Sequence, residues 1–107
     1  MANGKLGSAA LAADTYTVIY EVPADRNATF NIVAVNRGGT DARVRVAITE
    51  EAATPVDADF IEFDSLVPGD GGVLERVALI AGSGEKVMVR SNMATLSVRV
   101  HGLEEDN

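Results

Sequence analysis

The single histidine, His101, is the residue best suited by its ordinary pKa to acid–base catalysis at neutral pH. The run Leu96-Ser-Val-Arg-Val-His alternates between apolar and polar residues, which places His101 on the polar side of a strand together with Arg99. A general base needs a nucleophile or a substrate site beside it, and the local sequence supplies neither. We therefore expect a surface or interface role for His101, and we predict no catalytic residue and no enzyme.

A second group that could do chemistry is a set of acidic residues in one part of the chain: Asp57, Asp59, Glu62, Asp64 and Asp70. Calcium prefers several oxygen ligands, but this spacing does not match the calcium loop of a helix-loop-helix site. Paired carboxylates of the glycosidase kind are another option, although acidic residues are plentiful enough here to form pairs by chance. A solvated acidic face on an edge strand explains the same residues. We predict no metal and no cofactor.

Two glycine-rich segments, Arg37-Gly38-Gly39-Thr40 and Gly69-Asp70-Gly71-Gly72, resemble phosphate-binding loops only in their glycines. They lack the Lys-Ser or Lys-Thr ending and the following helix that such loops need. Glycines between predicted strands indicate turns. Cysteine is absent, which removes disulfides, thiolate nucleophiles and sulfur-ligated metals from consideration.

Basic residues at outward positions of different strands are the remaining candidates. Arg43 and Arg45, with Arg99 and Lys86, form a stripe in this interpretation, and such a stripe suits an acidic partner or a second copy of the chain. Internal ion pairs would account for the same residues, and the sequence leaves both alternatives open.

Composition limits the classes of partner. The chain is 47% apolar and 23% charged, with a net charge of −7, so we expect neither nucleic acid nor an anionic membrane surface as a partner. No run approaches the roughly 20 apolar residues that span a bilayer. No secretory signal is visible after Met1, which predicts folding in a cytoplasm.

Apolar alternation with a period of two residues organises most of the chain and predicts short strands separated by turns. The predicted strands are Thr15 to Val22, Ala28 to Asn36, Ala42 to Thr49, Phe60 to Val67, Val73 to Ala81, Lys86 to Ser91 and Ala94 to His101. We expect an all-β fold, a single antiparallel β-sandwich of about seven to eight strands, immunoglobulin-like or jelly-roll-like. Val87, Val89, Leu96, Val98 and Val100 are the expected core of its last two strands.

The predicted sandwich domain covers residues 15–102. Residues 1–14 are rich in Gly, Ser and Ala, with Leu6 and Leu11 as larger apolar residues, and they form an N-terminal arm or a weak edge strand in this interpretation. Residues 103–107 are expected to be an acidic C-terminal tail. We predict that Leu6 and Leu11 of the arm, and the outward Arg43, Arg45, Arg99 and His101, contact a partner.

Four segments carry a resemblance to a known group of proteins: Asp59-Phe-Ile-Glu-Phe-Asp, Gly72-Val-Leu-Glu-Arg, Gly84-Glu-Lys-Val-Met-Val-Arg-Ser and Ser97-Val-Arg-Val-His-Gly-Leu-Glu-Glu. Together they resemble small virion structural proteins of tailed bacteriophages, over roughly the last half of the chain. Lys5-Leu-Gly and Val35-Asn-Arg-Gly are weaker echoes. The resemblance is one of pattern and transfers no catalytic residue.

The resemblance implies a small β-sandwich module located in the virion and assembled in the host cytoplasm. It predicts a capsid decoration, or cement, protein that binds the major capsid protein or other virion subunits and stabilises the head shell, with self-association as a further option. The alternative is a tail, baseplate or fibre module, with an adhesive or carbohydrate-binding role. A carbohydrate-binding module needs exposed aromatic rings, and the chain has two Tyr, three Phe and no Trp.

Overall fold

A computed structural model of the chain describes residues 2–107, which form eight strands and one 3-10 turn at Asp57–Asp59. The strands are β1 (Asn3–Ala10), β2 (Thr17–Glu21), β3 (Arg26–Asn36), β4 (Ala42–Thr49), β5 (Phe60–Val67), β6 (Val73–Ala81), β7 (Lys86–Ser91) and β8 (Leu96–Asp106). Within this part of the chain no helix has the length and apolar character needed to cross a membrane.

The strands form two antiparallel four-stranded sheets packed on each other. Sheet A has the order β1-β8-β3-β6 and sheet B the order β2-β7-β4-β5. Strand pairs join the two halves of the chain in reverse order, because β1 pairs with β8, β2 with β7, β3 with β6 and β4 with β5. The expected all-β class is confirmed.

The core lies between the two sheets and is built from alternate residues of the strands. Sheet A contributes Phe30, Ile32, Leu96, Val98 and Val100, and sheet B contributes Val44, Val46, Val87 and Val89. All of these side chains are almost fully buried, as predicted for the residues of the last two strands. Burial of each aliphatic side chain contributes roughly 1.5–3 kcal/mol, so this layer supplies most of the stability.

Bulges interrupt the alternation in all four edge strands, β1, β2, β5 and β6. In β2 the register shifts between Val18 and Tyr20, so Ile19 and Tyr20 are both buried while Val18 is exposed. Strict alternation over the predicted strand Thr15 to Val22 places Val18 on the same face as Tyr20 and Val22. That placement is wrong, because the extra residue in the bulge reverses the phase of the strand. In β5 the residues Phe63 and Asp64 together oppose Arg45, and Asp64 has a φ of 52°.

The sandwich extends beyond both of its predicted limits. Residues 3–10 pair along β8 as an edge strand of sheet A, and Leu11 is 3% exposed in the core where the chain passes to sheet B. At the other end β8 continues to Asp106, because Glu104, Glu105 and Asp106 pair with the first residues of β3. The acidic segment is therefore strand rather than tail.

Polar contacts close the two open sides of the sandwich. The Tyr20 hydroxyl on β2 donates to Glu104 Oε2 on β8 at 2.5 Å, and Glu104 Oε1 accepts from the Ala2 amide at 3.1 Å. The hydrogen bond from Tyr20 is the main cause that lowers the pKa of Glu104. On the opposite side Arg76 of β6 forms an ion pair with Glu62 of β5.

Candidate interaction surfaces

The predicted partner residues Arg43 and Arg45 lie on the outer face of sheet B, among aromatic side chains. Arg45 pairs with Arg90 across β4 and β7, on the side of the sheet opposite to the core residues Val44 and Val46. The set that we call the aromatic–arginine surface comprises Tyr16, Arg43, Arg45, Phe60, Phe63 and Arg90.

The β5 bulge determines the geometry around Arg45. The left-handed conformation of Asp64 aligns its carboxylate with the guanidinium, with Nε to Oδ1 at 2.7 Å and Nη2 to Oδ2 at 3.3 Å. The preceding residue, Phe63, places its ring 4.1 Å from the guanidinium carbon, within the range of a cation–π contact. A third donor of Arg45 reaches the Tyr16 hydroxyl at 3.2 Å.

These contacts fix the charge state as well as the orientation of the Arg45–Asp64 ion pair. Hydrogen bonds from Arg45 lower the pKa of Asp64, and the bonds to Asp64 and Tyr16 raise the pKa of Arg45. Both groups therefore stay ionised at neutral pH. A bidentate guanidinium stacked on a ring loses little further freedom when a partner covers it, which favours binding.

The neighbouring side chains complete the surface. Phe60 and Phe63 meet edge to face with ring centroids 5.1 Å apart, and Tyr16 lies 6.3 Å from Phe60. Arg90 pairs with Asp14 at 3.2 Å. The Phe63 side chain nevertheless remains 56% exposed.

Two buried apolar side chains lie beside the aromatic–arginine surface, on the same face of sheet B. Met88 pairs with Val18 and with Ala47, on the outer side of sheet B, yet Met88 and Ala47 are both buried. They lie outside the main core cluster between the sheets. Because Ala47 pairs with Phe60, the aromatic–arginine surface adjoins packed side chains.

Arg99 and His101 lie on the opposite side of the molecule, on the outer face of sheet A. Arg99 lines a groove of about 490 Å³ together with residues of β1, β3 and β8. His101 pairs with Asn31 and is half-buried, and its Nδ1 has no hydrogen-bond partner among residues 2–107. Four exposed apolar side chains, Val73, Val77, Ile80 and Leu103, lie on β6 and β8.

The six predicted partner residues therefore do not form one site. Arg43 and Arg45 face one way, Arg99 and His101 face the other way, and Leu11 is a core residue that no partner can reach. Leu6 is half-buried and packs against the core at the β1 bulge. Of the two explanations for the basic residues, ion pairing holds for Arg45, whereas Arg99 makes no ion pair within the described residues.

The acidic residues between positions 57 and 70 also separate. Asp59 accepts from the Thr49 hydroxyl at 2.6 Å, Glu62 pairs with Arg76 inside the sandwich edge, and Asp64 pairs with Arg45 outside it. They do not form a single acidic face, because the bulge directs neighbouring carboxylates to different sides of β5. The described residues contain no group of three or more carboxylates or histidines placed to hold a metal ion.

The three aromatic residues of this surface, Tyr16, Phe60 and Phe63, were not predicted from the sequence. Strict alternation groups Tyr16 with Tyr20 and Val22 on one face, and it does not reveal the β5 bulge that sets Phe63 beside Arg45.

No protein-family model, curated protein or solved structure matches the chain.

Proposed function

We propose that this chain is a non-enzymatic virion structural protein, a decoration protein that binds major capsid subunits and stabilises the head shell of a tailed bacteriophage. The observation that carries the proposal is the aromatic–arginine surface. Tyr, Phe and Arg are enriched at protein interfaces, and energetically dominant residues are often aromatic or arginine side chains held in place before binding.

The proposal extends to the type of sandwich, which we infer to be a jelly roll. An immunoglobulin domain has its first two strands in the same sheet, whereas β1 and β2 lie in different sheets here. The pairing of the first four strands with the last four in reverse order is the wrapped arrangement of an eight-stranded jelly roll. Jelly rolls occur in viral capsid and lectin domains, so this architecture supports a virion role by analogy.

The charge distribution indicates which capsid residues the surface would meet. The chain carries a net charge of −7, yet this surface presents Arg43, Arg45 and Arg90 against the two carboxylates of Asp14 and Asp64. An acidic capsid segment with apolar residues complements such a surface. Phe63 would fill the centre of the contact, with the arginines around it.

Binding to particles assembled without this chain tests the proposal. Phe63→Ala should weaken binding to such heads by at least tenfold, and Arg43→Ala should weaken it less, since a central aromatic residue contributes more than a peripheral charge. Arg37→Ala is the matched control, because Arg37 is exposed outside this surface and its side chain makes no hydrogen bond with residues 2–107. Equal binding by Phe63→Ala and the control would refute the assignment of this surface.

A tail, baseplate or fibre module with an adhesive role is the second candidate, and the exposed ring of Phe63 favours it. Sugars stack on exposed aromatic rings, and Phe63 has Phe60 and Tyr16 beside it. A glycan array probed with the full chain, with Phe63→Ala as the control, separates this role from decoration. Specific glycan binding that the substitution abolishes would favour the adhesive role.

A further inference from the structure

The outer face of sheet A is arranged in rows across its central strands. Antiparallel register places Arg99, Val33 and Glu75 side by side on β8, β3 and β6. One neighbouring row holds Ser97, Val35 and Val73, and the row towards the other end of β3 holds Leu103, Thr29 and Ile80. Residues that pair directly in an antiparallel sheet project from the same face. The row of Arg99, Val33 and Glu75 therefore has a cation at one end, a carboxylate at the other and a valine between them.

The two charges of this row do not satisfy each other. Arg99 and Glu75 belong to strands separated by β3, so their backbones are about 9.6 Å apart. Neither side chain forms a hydrogen bond or an ion pair with any residue from 2 to 107. Both side chains are exposed. The row thus offers one unpaired charge of each sign.

A two-fold axis parallel to β3 and above Val33 makes this face complementary to itself. The axis carries β8 of one copy over β6 of the other, so Arg99 of each copy faces Glu75 of its mate, and Val33 faces Val33. The same operation brings Leu103 towards Ile80 of the second copy. These are two of the exposed apolar side chains, 43% and 71% accessible, and the contact would cover both of them. Packed sheets lie about 10 Å apart, which the two charged side chains can bridge.

We propose that the chain forms a two-fold symmetric dimer in which the outer faces of sheet A pack together around Val33, with Arg99 of each copy paired to Glu75 of the other. The occupant of this face is a second copy of the chain, and the contact is isologous. The inference does not depend on the proposed role in the virion.

Two other arrangements of the same faces are less favourable. A two-fold axis in the plane of the contact but perpendicular to β3 places β8 over β8, which brings Arg99 against Arg99 and Glu75 against Glu75. Pairing of two β6 edges would extend sheet A sideways, but it would leave Arg99 two strands away from the contact. Neither arrangement satisfies the unpaired charges.

Area and charge are both adequate for the proposed contact. Three strands of each copy overlap about the axis parallel to β3, namely β8, β3 and β6. At about 4.8 Å apart, and with 11 residues in β3, they give roughly 520 Å² in projection per copy, or roughly 1,000 Å² in total, which is the lower limit of a specific interface. The chain carries a net charge of −7, which makes two copies repel each other. The outer face of sheet A, however, carries Lys5 and Arg99 against the carboxylates of Glu75 and Glu105, so its own charges balance.

Charge-reversal variants test the face-to-face dimer. Sedimentation velocity, at protein concentrations from micromolar to millimolar, measures how readily each variant dissociates. Arg99→Glu and Glu75→Arg each place like charges opposite each other twice, so each variant alone should dissociate at least about tenfold more readily than the parent. A mixture of the two variants should form a heterodimer, because both of its cross-copy pairs are again of opposite sign. Glu51→Arg is the matched control, since it makes a charge reversal of the same size at an exposed position in the loop that follows β4 of sheet B.

Circular dichroism establishes that each variant is folded before its association is measured. A dimer that both single substitutions weaken, and that re-forms in the mixture, supports the proposal. A parent chain that stays monomeric at millimolar concentration overturns it. The face-to-face geometry is overturned if Arg99→Glu associates as readily as the parent, or if the mixture of the two variants fails to associate. Particle binding by the aromatic–arginine surface is measured separately for every variant.

Discussion

Asn36 offers the sharpest test of how the fold is held together at one end of the sandwich. Its side chain is fully buried, and the amide nitrogen donates to the Thr40 carbonyl at 2.8 Å and to the Val67 carbonyl at 3.1 Å. The amide oxygen accepts from the Gly38 amide at 3.0 Å and the Thr95 hydroxyl at 2.8 Å. Every hydrogen-bonding position of this side chain is thus used, and the bonds join three connections between strands.

The change Asn36→Asp keeps the shape of the side chain, replaces its two donors with a second carboxyl oxygen and places an ionisable group in a buried site. The buried Val67 carbonyl and the part-buried Thr40 carbonyl then lose their partners and face a second oxygen. Each buried group left unsatisfied costs about 1–3 kcal/mol, so for the two carbonyls we expect a loss of about 2–6 kcal/mol in the free energy of unfolding. Domains of this size are stable by only about 5–15 kcal/mol. The variant should therefore be close to unfolding at room temperature.

Urea denaturation followed by far-ultraviolet circular dichroism measures this loss. Asn92→Asp is the matched control, because Asn92 uses its amide oxygen to accept from the Arg43 amide at 2.8 Å, and aspartate retains that oxygen. The control should change the free energy of unfolding by less than about 0.5 kcal/mol. The reasoning is refuted if Asn36→Asp is as stable as the parent, or if the control loses as much.

Three further predictions follow from contacts elsewhere in the chain. Tyr20→Phe should lower the free energy of unfolding by about 1 kcal/mol at pH 7. Because the fold lowers the pKa of Glu104, this difference between variant and parent should shrink as the pH falls below the ordinary Glu pKa of 4.5. Urea titrations at several pH values measure it. Gly7→Ala should lower the melting temperature strongly, since a Cβ there would lie 2.0 Å from a carbonyl oxygen of β2, whereas Gly39→Ala, with 3.6 Å to its nearest side chain, should be nearly neutral in the same thermal melts. Asp64→Asn should leave the melting temperature almost unchanged, because its ion pair with Arg45 is exposed. It should weaken particle binding, because the carboxylate orients the Arg45 guanidinium. A large loss of stability with unchanged binding would contradict this role of Asp64 in binding.

Alternation in the sequence predicted the bounds of the strands better than the direction in which each side chain points. The bounds of β4, β5, β6 and β7 match the predicted strands, and the valines of β7 and β8 are buried as expected. Alternation failed at Val18, where a bulge adds one residue. It also stopped short in β8, because the acidic residues after position 103 lack an apolar pattern and are held by backbone pairing to β3.

The surfaces were harder to predict than the strands, because alternation gives the side of a strand but not the sheet to which the strand belongs. Arg45 and Arg99 are both outward residues, yet they belong to different sheets, whose outer faces point in opposite directions. The pairing of Phe63 and Asp64 with Arg45 depends on a bulge that only the register of β5 reveals. Contacts between residues distant in sequence thus determine both surfaces.

Cryo-electron microscopy of purified virions tests the proposed decoration role most directly. The account predicts density for an eight-stranded, two-sheet module on the outside of the head, with the β5 bulge and Phe63 directed at the major capsid subunits. Density for the module on the tail, or particles that lack the chain altogether, would contradict it.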